Sequence, residues 1–128
     1  MPYLTILEKK VEDFLEEIKK TDKEFSSRLL SRIKELELEG LFLSNDKRCK
    51  HLKDGIWELK CRNKNNNCRI LFFCAFDDYF ILVDCFKKQK SKCSNKEIKY
   101  VKKYKNNFFI NYKTKEDYED YLKKLGIV

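Results

Sequence analysis

Apolar residues recur at helical spacing over the first third of the chain and then switch to strand spacing. Leu7, Val11, Phe14, Leu15 and Ile18 share one face of a 3.6-residue period, which predicts a helix over residues 7–20. Thr5 and Glu8 have the spacing of a capping box at its start, and residues 3–6 read alternatively as a short first strand. Phe25, Leu29, Leu30, Ile33 and Leu36 predict a second helix over 23–39, capped by Thr21 or Asp22 and stopped at Gly40. Two amphipathic helices joined by a short turn form a hairpin whose apolar stripes need a layer to pack on.

That layer is predicted between residues 50 and 86. Asp54-Gly55 is a hairpin turn, followed by a strand over 56–62. Residues 63–67 turn the chain, and 68–76 is apolar almost throughout, as a central strand is. Asp77-Asp78 turns it again, and 79–86 returns. A helix starting at Ser94 or Asn95 runs toward Tyr104. Thr114 caps a last helix over 115–125 that stops at Gly126. The class is α+β: an N-terminal helical hairpin on a small, mainly antiparallel sheet, with C-terminal helices. The 128 residues suit one domain, with 106–128 as a C-terminal helical extension.

The alternation along 56–62 sends Trp57, Leu59 and Cys61 to the core. Matching them to Ile70, Phe72 and Cys74 pairs Leu59 with Phe72 and sets Arg62 opposite Arg69. A two-residue turn at 77–78 then pairs Phe72 with Val83 and Arg69 with Phe86. Glu58, Lys60, Arg62, Arg69, Asp84 and Phe86 fall on the face away from the hairpin. Opposed arginines repel, so either an anion sits between them or they splay into solvent or pair with Glu58 and Asp84.

Charge sharpens this picture. The net charge is +8, but residues 46–70 carry eight basic and three acidic side chains, and residues 86–105 carry nine and one. The two basic segments flank an apolar strand pair, which points to a polyanion such as nucleic acid; the alternative is a lysine-rich solubility surface. The six cysteines form no C-x-x-C pair, and four lie in or beside predicted strands, where free thiols are ordinary core residues. No run is long enough to span a membrane and no signal-peptide core is evident, so a cytoplasmic protein with reduced thiols is expected.

The single histidine, His51, lies in a polar stretch and leaves a His-based triad or multi-His metal site unsupported; no cofactor is expected. Lys, Arg, Glu and Asp suit a metal-free phosphodiester reaction instead. RNA carries its own nucleophile, the 2′-OH. An enzyme must orient it, take its proton, stabilise the phosphorane and protonate the leaving oxygen. Arginine binds two phosphate oxygens, and a lysine crowded by cations can lose its proton readily.

The segments "LKDGIWELKCRNKNNNCRILFF" and "FKKQKSKCSNKEI" resemble the RelE/HigB-type toxins, in the branch that includes phage-derived members. Leu52, Gly55, Trp57, Glu58, Leu59, Arg69, Phe86, Lys88, Glu97 and Ile98 match in order; Lys60, Gln89 and Ser94 stand where the family carries Arg, Lys and Pro. The resemblance implies a RelE-like fold and an mRNA endoribonuclease, commonly acting in the ribosomal A site. It also implies a cognate antitoxin, often a helix-turn-helix protein. It makes Arg69 and Lys88 the candidate catalytic residues, with Lys53, Lys60, Arg62, Lys87, Lys90 and Lys92 as the RNA-contacting set. Phe86 is either a base-stacking residue or an ordinary partly buried strand residue. The competing readings are a non-catalytic basic RNA- or DNA-binding protein of the same fold, and a structural or host-interaction phage protein.

Overall fold

The computed structural model describes residues 3–88 and 95–127. Its first element is a strand, β1 (Leu4–Leu7), so Thr5 pairs with Phe80 and forms no capping box with Glu8. Helix α1 (Lys9–Thr21) begins later than the periodicity suggested, because the residues before it are held in the sheet. Asp22 ends α1 and caps α2 (Lys23–Glu39), its side chain accepting a hydrogen bond from the Phe25 amide at 3.0 Å. Gly40 stops α2 at φ +62°, and a Cβ there would meet the Tyr3 ring at 2.5 Å, so both backbone and space demand glycine. A 3-10 helix (Gly40–Asp46), which the sequence pattern did not reveal, leads into β2 (Cys49–Lys53).

The sheet continues with β3 (Ile56–Arg62), β4 (Asn67–Ala75) and β5 (Tyr79–Lys87), in the order β1-β5-β4-β3-β2. Only β1, parallel to β5, departs from antiparallel pairing. Asp54 (φ +54°) and Gly55 (φ +74°) make the two-residue hairpin turn predicted.

Two registers differ from expectation. Leu59 pairs with Ile70, so Arg69 faces Lys60 rather than Arg62, which pairs with Asn67. The cause is a tighter loop. The Asn63 amide donates to the Asn66 carbonyl, and the Asn63 side chain accepts from the amides of Asn65 and Asn66. The shift is two residues, so every side chain of β3 and β4 keeps its predicted face. At the other end Ala75 pairs with Tyr79 across a three-residue turn, Phe76 and Asp77 both having positive φ. The offset is absorbed by a bulge in β5: Asp84 pairs with Leu71, but Leu82, not Val83, pairs with Phe72.

Each face of the sheet has its own core. The helical hairpin packs Val11, Leu15, Phe25, Leu29 and Ile33 against Leu59, Cys61, Ile70, Phe72 and Leu82. The opposite face is covered by α3 (Asn95–Asn111), longer than predicted, and α4 (Lys115–Lys124). Thr114 caps α4 by accepting from the Asp117 amide. Tyr118 and Leu122 are buried against Tyr79, Ile81 and Phe108, with the Phe108 and Tyr118 rings 4.8 Å apart. Cys49, Cys61, Cys68, Cys74 and Cys85 are free thiols within strands. Among the described residues no helix is long and apolar enough to cross a membrane.

Candidate nucleic-acid interface

β2 pairs with β3 as far as the Arg48 carbonyl, which accepts the Lys60 amide at 2.8 Å. Beyond that point β3 lies past the end of β2, and α2 closes over it. Arg32 donates to the Lys60 carbonyl at 2.7 Å and Arg28 to the Arg62 carbonyl at 3.5 Å. At this sheet end lies a cleft of about 360 Å³, lined by Arg32, Lys47, Arg48, Lys60, Arg62 and Arg69, with buried Cys61 as its remaining wall.

The cations are not equivalent. Arg48 is held by Asp46, Glu39 and Glu35, which raise its pKa. Arg32 lies 3.4 Å from Glu35. Lys60 is partly buried and sits across from Arg69. Burial lowers the pKa of its ammonium; Glu58 opposes this, while Arg69, Lys50 and Lys88 push it further down.

Beneath Arg69 lies Glu58, 2% exposed. One carboxylate oxygen is 3.4 Å from Arg69 Nε and the other 3.6 Å from Lys88 Nζ. Asn67 Oδ1 accepts a hydrogen bond from Arg69 Nη1, and the Cys68 carbonyl accepts another at 3.1 Å. The anion beside Arg69 is thus the protein's own carboxylate, one of the two candidates on that face. The other, Asp84, is 3.8 Å from Lys10 instead, and burial raises its pKa.

The structure brings Lys60, Arg62 and Arg69 to the cleft and ties Lys88 to Arg69 through Glu58. Lys87 is exposed opposite Cys68. Phe86 is partly buried opposite Arg69 and packs on the second core. Lys53 lies at the other end of β3, beside Ile56. Lys90 and Lys92 lie outside the described residues, as do Gln89 and Ser94. Among the described residues no three His, Cys, Asp or Glu side chains are placed to hold a metal ion.

Residues 16–106 match the family described as phage-derived protein Gp49-like. The chain belongs to this family. The matched stretch includes every cleft residue and ends within α3, leaving α4 outside it. Gp49-like proteins are in general toxins of toxin–antitoxin systems, related to the RelE/HigB type, and membership implies a cognate antitoxin. No curated protein matches the chain.

Within this Gp49-like chain, Arg32, Lys47 and Arg48 were not singled out from sequence. A signal for Arg32 existed: Arg28, Arg32, Glu35 and Glu39 recur at helical spacing beside the apolar stripe of α2. Lys47 and Arg48 lie in the basic segment, but their place in the cleft follows from the 3-10 helix. Lys47 takes φ +67° at its end, and the Arg48 amide returns to the Leu43 carbonyl.

Proposed function

We propose that this Gp49-like protein is the toxin of a toxin–antitoxin pair and acts as an endoribonuclease on ribosome-bound mRNA. The observation that carries the proposal is the opposition of Lys60 and Arg69 at a cationic cleft, with buried Glu58 anchoring both Arg69 and Lys88. Such a cleft suits a scissile phosphate, and Arg69 is oriented before any substrate arrives.

In this reading Lys60, whose proton is loosened by burial and neighbouring cations, accepts the 2′-OH proton. The 2′-oxygen attacks phosphorus in line, the P–O5′ bond breaks, and a protonated lysine returns a proton to the departing 5′-oxygen. Arg69, with Lys88 behind it, balances the charge on the phosphorane. Arg62 and Lys47 hold flanking phosphates. The products are a 2′,3′-cyclic phosphate, or the 3′-phosphate formed from it, and a 5′-hydroxyl.

The test is to incubate the purified protein with translating ribosomes and with free mRNA, and to map the termini of any fragments. Cleavage with 5′-hydroxyl ends supports the reading, and ribosome dependence shows in which arm it occurs. RNA binding without cleavage in either arm supports the second reading, a non-catalytic binding protein. That reading draws on the ion pair that engages Arg69 and Lys88 with Glu58.

A further inference from the structure

A second hollow, of about 500 Å³, lies beside the cationic cleft and shares Lys47 and Lys60 with it. Its remaining lining includes Ser44, Lys50, His51 and Trp57. His51 and Trp57 are cross-strand partners on β2 and β3, their ring centroids 5.0 Å apart and their planes at 67°. Trp57 packs on the first core yet keeps part of its surface open, while His51 and Lys50 are exposed. Sequence alternation assigned Trp57 to the core, and the structure makes it core on one side and wall on the other. Cations flanking two aromatic rings are what single-stranded nucleic acid requires: phosphates meet lysines, and a base meets a π-face.

We propose that this hollow is a nucleotide subsite of the RNA-binding surface. It takes one unpaired base against Trp57 and His51, with the adjoining phosphates on Lys50 and on the shared Lys47. The proposal rests on the endoribonuclease reading and deepens it. The nucleotide held here is the one next to the scissile phosphate, because the two hollows have Lys47 and Lys60 as common walls. Beside Lys60, the subsite carries Lys47 and Lys50 and, among its lining residues, no carboxylate, so its charge fits a phosphodiester strand.

Trp57 is the only tryptophan in the chain, so its emission reports this site alone. The probe is a fully 2′-O-methylated single strand of about ten nucleotides, which lacks the nucleophile and is long enough to cross both hollows. Binding is followed by anisotropy of a terminal label, and stacking by quenching of Trp57. Saturable binding with quenching is expected. One abasic nucleotide at a single position should remove the quenching, while inorganic polyphosphate should bind and leave the emission unchanged. His51→Ala should retain its melting temperature and bind the strand about 5- to 50-fold more weakly. Lys34→Ala, which removes one exposed charge from α2, should not share that loss. Binding without quenching, equal quenching by polyphosphate, or an unaltered affinity in His51→Ala overturns the subsite. Each of these leaves the endoribonuclease reading standing, because fragment termini judge that reading separately.

Discussion

Lys60 and Arg69 face each other directly across β3 and β4, two like charges at a position where cross-strand partners normally attract. The arrangement persists because Glu58 lies buried beside Arg69 and draws Lys88 in as well. An anion entering the cleft would relieve the repulsion that remains.

Arg69→Ala should abolish growth arrest on expression and lower the cleavage rate by about 10²- to 10³-fold, the scale for one charge-stabilising group. Growth curves and transcript levels in the expressing strain measure it, with a melting curve to show that the variant is folded. A folded variant that stays fully toxic removes Arg69 from the site.

Lys60 gives a pH signature. Its pKa is lowered, and the neutral amine is the form that accepts a proton. Cleavage should therefore rise with pH, approaching tenfold per unit, until the lowered pKa is passed. Lys60→Arg keeps the charge but not the titration, and should flatten the profile and slow the reaction. A profile unchanged in Lys60→Arg assigns the base elsewhere.

Glu58→Leu removes the carboxylate while leaving Arg69 and Lys88 in place. Breaking a buried ion pair from one side costs about 3–5 kcal/mol, so the variant should melt well below the parent. Glu58→Gln keeps the shape and should lose less. Thermal denaturation of the three proteins side by side provides the comparison.

The C-terminal helix should be integral to stability. Leu122 is fully buried, and Leu122→Ala should cost about 2–5 kcal/mol. Removing residues 112–128 should lower the melting temperature further and expose Phe108 and Phe76 to a hydrophobic dye. A truncated chain that melts like the full one, but no longer binds its antitoxin, would assign α4 to the partner.

Much of the architecture was legible because local rules and burial agree. Asp22, Asp54-Gly55 and Thr114 act as their side chains dictate, and strand alternation placed Glu58, Lys60 and Arg69 on the correct face. Register was not legible. It depends on how tightly Asn63 winds its loop and on a turn in which Phe76, not a glycine, takes positive φ. The cleft was half legible for a related reason. Its strand residues follow from alternation and the family motif, whereas Arg32 arrives from a helix whose charged stripe is meaningful only once it is docked on the end of β3.

The guanidinium groups of Arg28 and Arg32, bonded to the Arg62 and Lys60 carbonyls, act as a bolt on the edge of β3 that β2 does not reach. A strand from another molecule that sought to extend the sheet along this stretch of β3 would first have to displace both. Doing so would release two guanidinium groups from their backbone carbonyls at the end of the sheet that holds the cleft. An inhibitor using this route would therefore have to bring its own acidic groups, and carboxylates seated there would compete with phosphate for the same cations.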